Sequence, residues 1–362
     1  MREVKETPTE AWNISAKEFP YHGTALDQCK FFLGYAVLAP SSHNSQPWIF
    51  RIHEDCISLY ADRRRACRVV DPEDRELLVS CGCALQHLRV AMRHFGCLGE
   101  VEILPERNPD LLARISLGTS GETSIGEGLL FFAIRKRRTN RQPFTNDPVP
   151  TPLLVALRKA AEEEGAWLDF IIGEETRYAV ADLVATGDRR QWANKEFRSE
   201  LAKWVHSNRS GSHDGIPGYA QGMDDLMSLA GPLVVRTFDM GEGQAAKDRE
   251  VATGSPVLAV LGGAGDTPRD WLTAGQALAR VLLRARVEDL WASFLNQPVE
   301  IPELRFKLKD LIGRTGYPQA ILRFGFGDDV KPTPRRDVED VIMALRESAQ
   351  RIETTFLPRT NL

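Results

Sequence analysis

Two stretches of this chain read as long helices with small residues at mid-length, and their repetition constrains the fold more than any other feature. The first opens at Asp71-Pro72-Glu73-Asp74-Arg75-Glu76, a helix start with acids in its first turn. It continues from Leu77 to Phe95 and holds Gly82, Cys83 and Ala84 in its middle. The second runs from Trp271 to Ala285 and holds Gly275 and Ala277. Small residues let another backbone or a flat ring approach closely.

Each helix sits in the same order of elements. Ahead of the first, the apolar spacing of Leu26, Cys29, Phe32, Leu33, Ala36 and Val37 predicts a helix capped by Asp27. Ile49–His53 and Ile57–Ala61 then predict a hairpin around Glu54-Asp55. Behind it, Val101–Leu104 and Leu112–Leu117 alternate as strands, Gly118 closes the half, and Thr119–Glu127 is a polar linker. The second half begins with a helix from Thr151 or Pro152 to Ala161, then a strand at Trp167–Ile172 and a charged helical segment at Tyr178–Val205. Ser255–Leu261 reads as a buried strand ahead of the second small-residue helix, and Tyr317–Gly325 as the last central strand. Aligning Gly82-Cys83-Ala84-Leu85 with Gly275-Gln276-Ala277-Leu278 also sets Leu117-Gly118 against Phe324-Gly325. The expectation is an α+β chain with an internal duplication.

The duplication leaves one segment over. His206–Arg249 holds seven glycines, at 211, 215, 218, 222, 231, 241 and 243. A connection that long inside a compact domain is either functional or disordered. Trp204, Met223, Leu226, Met227, Leu229 and the run Pro232–Val235 offer apolar anchors, so the expectation is an ordered lid.

Composition narrows the class. The 362 residues are 43% hydrophobic and contain no apolar run long enough to span a membrane. Such a length suits about two ordinary domains. The polar start Met1–Glu10 has neither an apolar core nor a twin-Arg pair, so a secretory signal is not expected. A net charge of -4 argues against a nucleic-acid surface. The six cysteines lie in the first third with no zinc spacing; they read as reduced thiols of a cytoplasmic protein. His87 and His94 read as helix-surface residues, because no carboxylate or Cys completes a metal set. No Ser-His-Asp or carboxylate-pair arrangement stands out.

One cluster does. Arg135-Lys136-Arg137-Arg138-Thr139-Asn140-Arg141-Gln142-Pro143-Phe144 follows the apolar run Leu129–Ile134. An apolar face that ends in cations and breaks at a proline reads as a helix C-terminus entering a turn. On helical spacing Arg137 and Arg141, or Arg138 and Arg141, share one side. Two guanidinium forks and the Thr139 hydroxyl suit a dianionic phosphate. The plainer reading is a solvated basic end that complements the helix dipole.

Arg137-Arg138-Thr139-x-Arg141-x-x-Phe144 resembles the Arg-Arg-Ser-x-Arg-x-Phe element that binds the FMN phosphate in the nitroreductase family, where it lies near the N-terminus. Ala39-Pro40-Ser41-x-x-Asn44-x-Gln46-Pro47-Trp48, followed by a strand, resembles a second element of that family. There it reaches across the dimer interface to the flavin of the partner subunit. As a plain turn, the same Ser and Asn side chains would cap backbone groups. The first half has this loop but no Arg-rich element; the second half has the Arg-rich element, and its loop is shortened to Glu162–Trp167. The pattern resembles the Acg-type, internally duplicated branch of the family over about residues 27–345, including Ser293–Pro298 and Thr333-Pro334-Arg335-Arg336.

That resemblance implies a nitroreductase-like fold of two fused repeats, 27–128 and 129–345, paired as an intramolecular pseudo-dimer with a lid at about 206–249. It implies one FMN site in a monomer. Arg137, Arg138, Thr139 and Arg141 would hold the phosphate and ribityl end, joined by Arg335 or Arg336. Pro40, Ser41, Ser42 and Asn44 would line the ring, with Asn296 and Gln297 as weaker candidates. Two functions fit: an oxidoreductase passing electrons from NAD(P)H to a small nitro, quinone or similar acceptor, or a lid-covered FMN holder with little turnover.

Overall fold

The computed structural model describes residues 7–343; residues 344–345, the end of the second expected repeat, lie outside them. The first helix, α1 (Ala25–Ala36), starts one turn earlier than Asp27. Thr24 is its N-cap, and Asp27 completes the capping box by accepting from the Thr24 backbone at 2.9 Å. The hairpin forms as β1 (Trp48–His53) and β2 (Cys56–Ala61), with Glu54 left-handed at φ 56°. The small-residue helix is α2 (Arg75–His94), followed by β3 (Leu98–Ile103) and β4 (Leu111–Leu117). These strands make an antiparallel sheet in the order β1-β2-β4-β3.

Next come α3 (Ile125–Ile134), α4 (Thr151–Glu162), β5 (Trp167–Phe170), α5 (Glu174–Ala193) and α6 (Lys195–Trp204). A short parallel pair, β6 (Val205–His206) and β7 (Ile216–Pro217), leads to α7 (Asp225–Thr237) and α8 (Gly241–Gly254). The chain finishes with β8 (Val257–Gly263), α9 (Pro268–Val287), β9 (Trp291–Phe294), α10 (Gln297–Glu300), α11 (Pro302–Ile312) and β10 (Tyr317–Gly325). The second antiparallel sheet has the order β5-β8-β10-β9. Read in chain order, the two sheets have the same connectivity. Where the first has the tight β1–β2 turn, the second has α5 to α8. A division between residues 128 and 129 falls inside α3; the irregular stretch between β4 and α3 is the nearest gap between elements.

The insertion is ordered by only part of the expected apolar set: Val235 is 3% exposed and packs with Trp192 and Ala202. Leu226, Met227 and Leu229 on α7 are 79%, 61% and 58% exposed. Ser228 and Gly231 face inward with Val235, because the helical period turns Leu226, Met227 and Leu229 to solvent. The far end also moves: α8 runs past Arg249 to Gly254.

The core forms where α2 and α9 cross. A Cβ on Gly82 would lie 2.3 Å from the carbonyl oxygen of Leu272, and one on Gly275 would lie 2.1 Å from that of Val79. No real side chain tolerates such distances to backbone, so both positions demand glycine. His87 on α2 is fully buried rather than on the surface: α2 is covered on nearly all sides. His94 stacks on Phe131 with ring centroids 3.9 Å apart.

Gly275→Ala is expected to cost about 1–3 kcal/mol as overpacking against a rigid carbonyl, read as a lower urea midpoint. Gly243→Ala, an exposed position within α8 with nothing near its Cβ, should be neutral or gain up to about 1 kcal/mol. Equal midpoints for the two variants would contradict the crossing.

Candidate functional site

A cavity of about 660 Å³ lies where the two sheets' helices and the insertion meet, a size usual for small-molecule sites. Pro40, Ser41, Ser42 and Asn44 line it from the loop after α1, and Thr139 and Arg141 from the loop after α3. Asn296, Gln297 and Arg335 line it as well.

The loop after α1 is held in an unusual shape. His43, Asn44 and Gln46 all have positive φ, at 52°, 55° and 51°. Left-handed non-glycine residues cost energy and persist only where neighbours enforce them. Ser41 Oγ accepts from the Gln46 amide at 2.9 Å, and Ser42 Oγ donates to Glu76 Oε2 at 2.7 Å. Asn44 Nδ2 donates to the Gly215 carbonyl at 2.8 Å and to that of Pro334 at 3.0 Å. Gln46 Nε2 reaches the His213 carbonyl at 2.9 Å, and Arg65 pairs with Asp214. The insertion is therefore seated on this loop by polar contacts.

The Arg-rich segment departs from its expected geometry. Helix α3 ends at Ile134, so the i, i+4 relation of Arg137 and Arg141 does not hold. Thr139 instead bridges to Ala292 beside β9, and the Asn140 amide donates to the Ala292 carbonyl at 3.1 Å. Residues in an extended path point their side chains apart, and the cluster splits three ways. Arg137 is 2% exposed and donates to the Leu38 carbonyl at 3.2 Å; it braces the end of α1, outside the cavity lining. Burial lowers its pKa to about 10. Arg138 turns to the other side, pairing with Asp329 at 3.1 Å and lying over Trp12. Of the four residues expected at a phosphate, Thr139 and Arg141 line the cavity, with Gln142, Pro143 and Phe144 beside them. Arg141 makes no hydrogen bond or ion pair to any described residue.

At the C-terminal end the two candidates also separate. Arg335 lines the cavity and donates from Nη1 to Asn44 Oδ1 at 2.7 Å and Thr333 Oγ1 at 2.6 Å, with its Nε left unpaired. Burial, with Arg137 nearby, holds it well below the usual arginine range. Arg336 faces β1, donating to the carbonyls of Gln46 and Trp48 at 3.2 Å. Asn296 accepts from the Ile321 amide at 3.0 Å. Gln297 Nε2 donates to Asp188 Oδ1 and Asp248 Oδ2 at 3.0 and 2.8 Å.

Several lining residues were not anticipated. Arg323, on β10, is 1% exposed and clamps the carbonyls of Asn140 and Gln142 at 3.0 and 2.9 Å. Its guanidinium lies 4.0 Å from the Phe144 ring centroid, and its Nη1 has no partner. A lone arginine inside Ala320-Ile321-Leu322-Arg323-Phe324 was the available signal. The carboxylates of Glu76, Asp188, Asp248 and Glu300 also line the cavity, and the sequence carries no comparable mark for them. The lining thus mixes cations (Arg141, Arg323, Arg335) with acids, and Asp248 lies within electrostatic reach of Arg141 and Arg323. Glu300 is pushed up to about 8 by burial and then by Glu76.

An uncommitted guanidinium, the Thr139 hydroxyl and the unpaired Arg335 Nε are the donor set a phosphate monoester requires. Those residues fit an FMN phosphate; Arg137, Arg138 and Arg336 are occupied elsewhere.

No family model matches the chain. Curated relatives do. A Mycobacterium tuberculosis protein with the provisional name NAD(P)H nitroreductase Rv3131 is 32% identical over 331 residues, 89% of this chain and 92% of the relative. The M. tuberculosis protein named NAD(P)H nitroreductase acg is 29% identical over 323 residues, covering 87% and 95%. PigM of a Serratia species, also named an NAD(P)H nitroreductase, is 22% identical over 344 residues, covering 87% and 93%. Among solved structures, the FMN- and NADPH-dependent nitroreductase NfnB from a Sphigopyxis species aligns at 19% identity over 59% of this chain and 98% of its own, with a TM-score of 0.39. The chain is thus an α+β protein of nitroreductase-like fold. It belongs to the NAD(P)H nitroreductase family, with Rv3131 and acg among its relatives.

The raised Glu300 gives a pH test. Its folded pKa lies above the ordinary 4.5, so between about 4.5 and 8 the folded chain holds a proton that the unfolded chain has lost. Stability falls as pH rises through that window. Glu300→Gln should flatten the fall by on the order of 1 kcal/mol between pH 5 and 8. Urea titrations at both pH values check it; parallel slopes for parent and variant would exclude a protonated Glu300.

Proposed function

We propose that this chain is an FMN-dependent oxidoreductase that takes electrons from NAD(P)H and passes them to a small nitro, quinone or similar acceptor. In this reading it is an internal duplication folded as a pseudo-dimer, active as a monomer, with one flavin per chain. One observation carries the proposal. The Pro40–Asn44 loop of the first half and Thr139, Arg141 and Arg335 of the second line a single cavity. Each half supplies the part that the other lacks. The matching connectivity of the two sheets and the α2–α9 crossing support the duplication.

FMN, when bound, supplies the two-electron relay between nicotinamide and acceptor. Arg141 and Thr139 would hold the phosphate; Arg335, which donates to Asn44 Oδ1, would add a second cation and fix the Pro40–Asn44 loop at the same time. The hydrogen bonds from Asn44 and Gln46 to the insertion favour a cover over this site. A well-seated cover keeps a nicotinamide from stacking, which supports the second reading, an FMN holder of low turnover. The six unpaired cysteines suit a cytoplasmic setting.

Flavin released on denaturation should approach one per chain; a ratio near two, or none after soaking with FMN, would refute the single-site reading. Arg141→Ala should weaken FMN binding by about 10- to 100-fold, the loss of a charge-assisted phosphate contact. Arg138→Ala, which removes a partly exposed ion pair, should change it less than about fivefold. Fluorescence titration of the two folded variants separates them, and equal losses would mean that Arg138 also reaches the phosphate.

Replacing 206–254 by a short Gly-Ser linker should raise the rate of flavin reduction by NAD(P)H in stopped flow. A folded variant that reduces no faster than the parent would show that the insertion does not limit access.

A further inference from the structure

Helix α8 meets α5 through three side chains that share no cation. Gln297 Nε2 donates at once to Asp188 Oδ1 on α5 and to Asp248 Oδ2 on α8. Asp188 is 2% exposed. The nearest arginines on these helices are engaged elsewhere, Arg189 with Glu242 and Arg249 with Asp182. Two acceptor oxygens remain without a donor: Asp188 Oδ2 and Gln297 Oε1. Their placement is enforced, since a Cβ on Gly187 would lie 2.5 Å from Gln297 Cβ and 3.1 Å from its carbonyl carbon.

A buried carboxyl and a buried amide already joined by one hydrogen bond, each with its second oxygen unpaired, lack the same thing. A proton on Asp188 Oδ2 supplies it, because an acid O–H donates where a carboxylate only accepts. We propose that Asp188 is held as a neutral carboxylic acid donating to Gln297 Oε1, and that this proton latches α8 onto α5 over the cavity. The proposal deepens the reading of residues 206–254 as a cover and makes that cover proton-sensitive; it does not depend on the cofactor. When the proton leaves, two carboxylates share one amide group, and their repulsion works against the α5–α8 contact.

The surroundings agree. Burial, then Asp248, pushes Asp188 up to about 7, against the lowering effect of Gln297 and Arg189. Asp248 is also raised, by burial, against Gln244, Gln297, Lys247 and Arg323. Arg141 lies within electrostatic reach of Asp248. From α10, Glu300 accepts from Gln191 of α5, and from α11, Glu303 pairs with Arg190. None of these cations forms an ion pair with Asp188 or Asp248 among the described residues.

The sign follows from linkage. The closed state holds its proton up to about pH 7, while an opened, solvated Asp188 loses it near its ordinary value. Opening therefore becomes easier as pH rises, by up to about tenfold per unit, and levels off above the closed-state pKa. Hydrogen exchange of residues 241–254, measured from pH 5 to 9 on flavin-free full-length chain and corrected for intrinsic rates, reads this opening directly. The parent should lose protection steeply up to about pH 7 and then plateau. Asp188→Asn should keep high protection with most of the slope gone, because its amide donates to Gln297 Oε1 without a titrating proton. Asp248→Asn should move the plateau to lower pH by removing the like charge. Protection of β8 and α9 amides reports that each variant is folded. A parent without slope overturns the proposal, as does an Asp188→Asn chain with the parent's slope or an Asp248→Asn chain with the parent's plateau. FMN content, measured separately, tests the cofactor reading on its own.

Discussion

The structure depends on a contact that no side chain makes. Where α2 crosses α9, Gly82 faces the Leu272 carbonyl and Gly275 faces that of Val79, at distances that leave no room for a Cβ. Cys83 Sγ adds a hydrogen bond to the Gly275 carbonyl at 3.2 Å. Backbone approach of this kind fixes the relative position of two long helices more tightly than interdigitated side chains, which have rotamers to trade. The cavity inherits that precision. Val79, Ser80 and Cys83 of α2 and Leu278 of α9 form part of its wall, so loops anchored to either helix meet at a defined spacing.

Much of this was legible in the sequence because it rests on local rules. The small residues of α2 and α9, the hairpin, the strand alternation and the order of elements follow from periodicity and turn chemistry, and the fold respects them. The loop from Pro40 to Trp48 was legible as a structured turn for the same reason: prolines among Ser and Asn residues mark one. The Arg-rich segment was less so. Its charges are plain, but which guanidinium faces the cavity depends on where α3 stops and on the bridge from Thr139 to Ala292. Neither is encoded within the segment. An extended path sends Arg137 inward, Arg138 outward and Arg141 to the cavity, where helical spacing grouped them together.

The errors in the insertion have the same origin. Apolar residues at Leu226, Met227 and Leu229 look like anchors in one dimension, yet they lie on the exposed side of α7. Besides the buried Val235, what seats the segment is a set of polar contacts, from His213 and Gly215 to the Pro40–Trp48 loop and from Asp214 to Arg65. Glycine supplies the shape here: Gly215 has φ 71°, and a Cβ there would overlap His206 and the Trp204 carbonyl. Such contacts join residues about 170 positions apart, beyond any window of periodicity.

The buried charges show what a polar seat makes possible. Apolar anchoring has no proton to gain or lose, so its strength changes little with pH. A seat built from carboxyl, amide and guanidinium groups exchanges hydrogen bonds with water at small net cost when satisfied, and at large cost when one member is left unpaired. Arg323 is satisfied in part, spending Nη2 on two carbonyls and its face on Phe144 while Nη1 has no partner. Asp188 and Gln297 leave two acceptors without a donor, Asp188 Oδ2 and Gln297 Oε1. Both arrangements line one cavity. Its guanidinium groups gain most when an anion lies beside them, and its buried carboxyls when a proton does. Helix α8 brings the two kinds together, carrying Lys247 and Asp248 on consecutive positions into the same space.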